Sequence, residues 1–593
     1  MSKGIFFGGR SILKPGVYST IDADALVPSR LSPAGSIGVI GIATGGKPRT
    51  VTTINSPQEA KGQLRSGVLR NVIELMYDPS PEVQGAGTIK YYRLNAAVAG
   101  TLNLQDSGPA NVIVVTAKDY GLWTNQIRIK VESGTLHGKK VSINDVLDPL
   151  TVEVGDNLGR ALAIQYTGGI ANARMTIAKT GDVATSLTLQ TSPDASTWTT
   201  VSTVDLTNPN LATVGALVDF LDNIADVDAT VIGDQNLPVA ELDAVSNQDI
   251  QSAVYNAVAN IGAIVYWMNT NSLLVKAARV ASAVNAPANS AYTFLASGSE
   301  GAAVQNSDWS TALDAFLTEN VNFIFVCSED AAVHAMAVAH CNQASGVKER
   351  HERLCILGGA AAETVEQAVT RAQNLADRRS ALCYPGIKRV NLQTGAIDAL
   401  SPMYFAALVT GMSAGVPVPM PLTFKQLRIS GLEKTLTQTE IERLLDRGVL
   451  HAEHDQGTGT FRIVQGITTY LKDGNVTYRK IAGMRIHDYL HTQSREAVQR
   501  YIGKVGDSRT VKMMSVSVVN RLTQLVRGPL NPNGVLTTGV DSNGNIEPAF
   551  KNVVVTFDGL DLITISFEAH PVGEVAYITI QATLTPTQIS AAA

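Results

Sequence analysis

Residues 321–384 read VNFIFVCSEDAAVHAMAVAHCNQASGVKERHERLCILGGAAAETVEQAVTRAQNLADRRSALCY, and their apolar runs come in two lengths. Residues 321–327, 353–357 and 381–384 are short and largely apolar, the pattern of strands buried on both faces. Residues 330–344 and 361–379 between them have the length and composition of helices. Strand and helix in alternation predict a parallel α/β sheet. Gly358-Gly359 sits where one strand hands over to a helix. It lacks the GxGxxG spacing of a dinucleotide loop and reads as simple punctuation.

Moving toward the N-terminus, SDWSTALDAFL places Trp309, Leu313, Phe316 and Leu317 on one helical face. SIGVIGIA from Ser36 reads as another buried strand. Ser56 with Glu59 makes a capping box for a short helix that Gly67 can end. Tyr91-Tyr92-Arg93-Leu94 is a further strand. After it the composition shifts to Thr, Val, Asp and Asn for nearly two hundred residues, within which NVIVVTA, NQIRIKVES, RMTIAK and SLTLQT alternate apolar with polar side chains. Half-exposed antiparallel strands read that way, and a mainly β insertion is expected.

On the other side, MYFAALVTG reads as a buried helix, and Thr437 with Glu440 caps the helix TQTEIERLLDRG before Gly448. FRIVQGITTY and VTYRKIAG are expected to be strands, followed by a helical region over 486–525. The end reads as a meander: 552–557, a turn at Asp558-Gly559, 562–569, a turn at Pro571-Val572-Gly573, then 575–584. In that last strand Ala576, Ile578, Ile580, Ala582 and Leu584 share one face, and an apolar face on a strand near a free end seeks a partner. Lys14-Pro15-Gly16-Val17-Tyr18-Ser19-Thr20 has no helical period and reads as an extended arm.

Composition narrows the function. A chain of 593 residues is too long for one core and implies three or four domains. Charged residues make up 17%, below the roughly 25% usual for soluble proteins, which favours surfaces that end against other protein. The net charge of -5 and the lack of a basic tract argue against nucleic acid. Cys327, Cys341, Cys355 and Cys383 form no CxxC pair and read as reduced core thiols. The opening MSKGIFFGGRSILKPG has no apolar core of a secretory signal, so synthesis in a cytoplasm is expected. The uncharged windows 250–275 and 401–422 are interrupted by polar residues or prolines and read as buried soluble segments, with no membrane insertion.

Catalytic motifs yield to plainer readings. Gly41 to Lys47 fits GxxxxGK, but Pro48 stands where a hydroxyl should hold magnesium and RTVTTI is no helix, so a glycine-rich turn is the better reading. Gly411-Met412-Ser413-Ala414-Gly415 fits GxSxG, with Asp446 and His487 downstream in triad order. The flanks are wrong for a nucleophile elbow, and close helix packing explains the small residues. His451 with His454, and His487 with His491, lack further metal ligands at motif spacing. No catalytic residue, cofactor or metal is expected, and the chain is read as no enzyme. The alternatives from another class are a nucleotide hydrolase using Lys47 or a serine hydrolase using Ser413. A secreted adhesin is disfavoured by the missing signal segment.

Taken in order, the KPGVYS arm, GVIGIATGGKPRTVTTINSPQEAKGQLRSG, KDYGLWTNQIRIKVESGT, PMYFAALVTGMSAGVPVPMPLTFKQLRI and ISFEAHPVGEVAYITIQATL resemble the tail sheath proteins of contractile-tailed bacteriophages, especially the longer ones of large myoviruses. The resemblance spans most of the chain and is weakest over about 150–285. It implies an α+β and α/β multidomain protein: an N-terminal arm (1–25), a parallel-sheet α/β core in two parts (26–100 and 291–420), a β-rich inserted outer domain (101–290), an α+β C-terminal domain facing the tube (421–574) and a C-terminal arm strand (575–593). It implies a subunit that polymerises around an inner tube and contracts to drive it through a host envelope; the sheath of a related, tailocin-like injection system is the alternative. Partners so implied are further copies of the chain, the tail tube protein, and baseplate and tail terminator proteins. Its place would be the virion tail, after assembly in the host cytoplasm. Pro15, Gly16, Val17, Tyr18, Ala576, Ile578, Ile580, Ala582 and Leu584 are the expected inter-subunit arm residues. Arg495, Arg500 and Lys504 are the expected tube-facing ones.

Overall fold

The computed structural model describes residues 35–390, 395–540 and 543–579, and before them the paired strands Ile5–Phe7 and Arg10–Ile12. Its centre is an eight-stranded sheet in the spatial order Thr460–Ile463, Val449–Asp455, Ser380–Tyr384, Leu354–Gly358, Phe323–Val326, Ile37–Gly41, Ile89–Arg93, Val51–Ile54. The six inner strands run parallel; only Thr460–Ile463 and Val51–Ile54, at the two edges, are antiparallel. Phe323 lies opposite Ile37 and Val326 opposite Ile40, so the strand near the N-terminus is stitched to one almost three hundred residues later.

Both faces of this sheet are covered, which is why its strands are apolar without alternation. One face packs the helices Val68–Tyr77 and Pro402–Gly415, with Met76, Phe405, Leu408 and Met412 fully buried. The other packs Asn306–Ala315, Ala331–Ala344 and Val365–Leu375, with Phe316, Ala337, Cys341 and Ala372 fully buried. Gly411 is what lets the first two helices touch: a Cβ built on it would lie 2.4 Å from the Met76 carbonyl oxygen.

Among the described residues, 101–294 contribute no strand to the central sheet. They form a three-, a seven- and a four-stranded sheet with their own apolar clusters. The strands Asn111–Ala117, Ile127–Ser133, Asn172–Thr180 and Val183–Ser192 fall where the alternating patterns are. No helix among the described residues is long and apolar enough to cross a membrane. Of the cysteines, Cys341, Cys355 and Cys383 are buried and Cys327 half-buried, all unpaired.

The structure corrects several boundaries. The helix after Ser56 ends at Leu64, with Arg65 at φ 54°; Gly67, at φ 109°, instead begins the next helix. FRIVQGITTY is a strand only to Ile463. VTYRKIAG is helical: Asn475 accepts hydrogen bonds from the Thr477 and Tyr478 amides and starts Val476–Arg479, and Ile481–Gln499 follows directly. The expected helix over 361–379 is confined to Val365–Leu375, capped by Thr364 and Gln367. The region 486–525 is two helices, Ile481–Gln499 and Ser508–Leu525, broken by a loop with Gly503 at φ 82°.

Candidate assembly interface

The loop Gly41 to Lys47 has already spent the backbone groups that would cradle a phosphate. The Gly46 amide donates to Asp119 at 2.7 Å and the Gly45 amide to the Leu64 carbonyl at 3.2 Å. The Gly46 carbonyl accepts from Arg93 at 2.6 Å, and the fully buried Arg93 also pairs with Glu300 at 2.7 Å. The loop is therefore a buttress that ties the core strand Ile89–Arg93 to Asp119 in the inserted region and to Glu300 just beyond its end. Ser413 is fully buried on Pro402–Gly415, its hydroxyl donating to the Val409 carbonyl at 2.7 Å, so no substrate reaches it. His451 is buried on a strand, and burial drives its pKa down to about 4. The His487 and His491 rings lie 4.6 Å apart, tilted by 38°, and no set of three metal-ligating side chains occurs among the described residues.

What the described surface offers instead lies at the C-terminal end. Phe550–Phe557 and Ile563–Ala569 form an antiparallel hairpin in which Phe557 faces Ile563 and Lys551 faces Glu568. Period-two alternation turns Ile565, Phe567 and Ala569 onto a cluster built by Leu522, Leu525 and Leu536, leaving Thr564, Ser566 and Glu568 outside. Among the described residues neither strand pairs with a second neighbour, the arrangement of edge strands open to addition.

The chain then returns to the body before leaving it. Thr537 donates to the His570 carbonyl at 3.0 Å, Val572 to Val535 at 2.9 Å, and Glu574 pairs with Lys480 at 2.8 Å and accepts the Thr423 hydroxyl. From Val575 the character changes: Val575, Tyr577 and Ile578 are 78%, 84% and 78% exposed, and residues 575–579 join no strand. The strand expected from 575 onward thus finds no partner among the described residues. Ala576 is half-buried; Ile580, Ala582 and Leu584, like Pro15, Gly16, Val17 and Tyr18, lie outside the described residues.

The two C-terminal helices carry the second surface. Arg495 is held at 2.5 Å by both oxygens of Glu352, a carboxylate of the core, so its fork is occupied. Arg500 and Lys504 are exposed around Tyr501, with the Arg500 carbon 5.1 Å and the Lys504 nitrogen 5.3 Å from its ring. Arg500 borders a groove of about 380 Å³ lined also by Arg509, Lys512, Met513 and Val516. Arg509 and Lys512 escaped notice in the sequence, although their spacing, one helical turn apart after the Asp507 cap, is a readable signal. Glu574 left no such trace, because its partners are distant along the chain.

Residues 302–469 match the family model of the phage tail sheath protein central domain. The tail sheath protein of Bacillus phage SP01 is 30% identical over 565 residues, spanning 94% of this chain and 94% of its own length. The putative tail sheath protein of Enterococcus phage phiEF24C is 28% identical over 511 residues, spanning 84% of this chain and 86% of its own. Among solved structures, the sheath tail protein of Desulfitobacterium hafniense superposes with a TM-score of 0.52 at 14% identity, over 93% of this chain and 100% of that one, a shared fold.

Proposed function

The chain belongs to the tail sheath proteins of contractile bacteriophages, a structural family of the virion tail, and from that premise we propose that its ends are the couplings of a polymer. The observation that carries this is the open-edged hairpin Phe550–Phe557/Ile563–Ala569 beside a terminal run that exposes Val575, Tyr577 and Ile578 and pairs with none of the described strands. The run of one copy adds as a strand to the hairpin of another, supplying main-chain hydrogen bonds and alternating side-chain pockets. At ~0.5–1.5 kcal/mol net per bond, an added strand of about five bonds is worth several kcal/mol before apolar burial. The N-terminal residues Pro15 to Tyr18 are the second coupling strand.

Strand couplings tolerate rotation of the bodies they join, so a polymer built this way can shorten and widen without coming apart, driving an inner tube through an envelope. Arg500 and Lys504, joined by Arg509 and Lys512, are the cations offered to an acidic tube surface, and baseplate and terminator proteins cap the polymer's ends. Removal of residues 575–593 tests the reading. The truncated chain should keep its thermal transition and remain monomeric in negative-stain micrographs where the full chain forms tubes or rings. Unchanged polymer from the truncated chain would overturn the coupling.

A further inference from the structure

The inserted region divides its charge in a way that the coupling of ends does not use. Between Lys179 and Lys276 the sequence has no Lys, Arg or His, while Asp and Glu occur eleven times. Four of these carboxylates, Asp219, Asp222, Asp226 and Asp228, gather where the helix Val214–Leu221 turns into the strand Val227–Val231, and all four are exposed. In their midst Phe220 is 43% exposed, an apolar ring within a collar of negative charge.

The seven-stranded sheet offers the opposite. Its strand pairing sets Arg128 against Phe294 on one side and Asn144 on the other, Asn144 against Val152, Lys130 against Ser142 and Ser142 against Val154, so these side chains share one face. The reverse face holds Ile127, Ile129, Val131, Val141 and Ile143, fully buried or nearly so. On the outward face Arg128 stacks 4.3 Å from the Tyr292 ring, with Lys130 5.9 Å from the same ring. Lys140 stands beside them; Glu132, bonded to Lys130 at 2.7 Å, neutralises one of the three cations. Tyr292, Phe294, Val152 and Val154 are 37%, 46%, 48% and 49% exposed, an apolar floor edged by positive charge.

We propose that these two surfaces are partners between copies of the chain: the Phe220 knob with its four carboxylates docks on the Tyr292/Phe294 face of a neighbouring copy, with Arg128, Lys130 and Lys140 opposite the acids. An aromatic anchor and complementary charge at the same place are the marks of an interface, and each surface offers what the other needs. Two different patches meeting head to tail make an open-ended contact, the type that a helical polymer repeats. The inference rests on the reading that the chain polymerises, and adds an outer contact to the strand couplings.

The test uses full-length chains of two kinds, one carrying Phe220→Cys and the other Tyr292→Cys, polymerised together and oxidised mildly. A disulfide-linked heterodimer on a non-reducing gel is expected. Its yield should fall about tenfold with Arg128→Glu and Lys130→Glu in the second chain, as for like charges brought together, and recover when the first also carries Asp222→Lys and Asp226→Lys. Thermal transitions matching the unaltered chain establish that the substituted chains fold. Polymers that form normally without the heterodimer would overturn the contact and leave the sheath reading intact; chains that never polymerise would overturn both.

Discussion

Arg379 and Asp488 meet in a two-pronged ion pair, at 2.8 and 3.1 Å, that fixes the start of the strand Ser380–Tyr384 to the long helix Ile481–Gln499. Burial disfavours the Arg379 charge and the Asp488 carboxylate more than offsets it, so the guanidinium pKa is raised. A buried pair of this kind stabilises little as a whole but is expensive to halve.

Arg379→Ala should therefore remove about 3 kcal/mol or more, read as a drop in the thermal transition of the core. Arg379→Met combined with Asp488→Leu should recover most of the loss. A double variant as unstable as the single one would show that the pair does more than satisfy its own burial.

Two glycines on helices should respond oppositely to alanine. At Gly411 the added methyl would meet the Met76 carbonyl oxygen at 2.4 Å and its Cα at 2.7 Å, backbone that cannot swing aside, so Gly411→Ala should cost about 1–3 kcal/mol and lower soluble yield. At Gly62, inside Pro57–Leu64, a Cβ meets nothing within 4 Å, and Gly62→Ala should stabilise by about 0.5–1 kcal/mol. Thermal scans of the two variants compare them directly.

Acid should weaken the core before it affects the surface. Burial lowers the pKa of His334 to about 4, of His340 to about 3 with the Arg353 charge adding to it, and of His451 to about 4, from an ordinary 6.5. The unfolded chain thus binds more protons than the folded one below about pH 6.5, and stability falls from there down to about pH 3–4. Every tenfold loss of proton affinity on folding corresponds to ~1.4 kcal/mol. His451→Gln should flatten the decline of the melting temperature over that window, and an unchanged slope would count against the buried neutral imidazole.

Ser413→Ala should leave stability within about 1 kcal/mol, since it removes one helix-internal bond, and fluorophosphonate reagents should label neither protein. Lys47→Ala should leave the melting temperature unmoved with or without added nucleotide. Labelling lost on Ser413→Ala would revive a hydrolase.

Much of the core was legible because its signals are local. The runs over 321–384 carry their own period, and Thr437 with Glu440 carries its own cap; the structure finds both. Asn475 shows where locality misleads. Val476, Thr477 and Tyr478 favour a strand by composition, but one side-chain oxygen capturing two amides turns them into helix. The edge strand Val51–Ile54 was unread as a sheet member because its role depends on Tyr91 and Tyr92, its partners in register. The terminal run alternates as a strand would, but residues 575–579 join none, because a strand is a property of two segments and none of the described residues supplies the second. Tertiary ties such as Glu574 to Thr423 and Lys480 leave no periodic mark at all.

Those ties have a mechanical meaning. A load applied to the last nineteen residues does not peel the hairpin strand by strand; it enters at Glu574 and passes through Lys480 into the base of the long helix, and through Thr423 into the loop behind the buried helix Pro402–Gly415. Tension applied there from outside the molecule is thus delivered to helices anchored in the central buried cluster rather than to the hairpin.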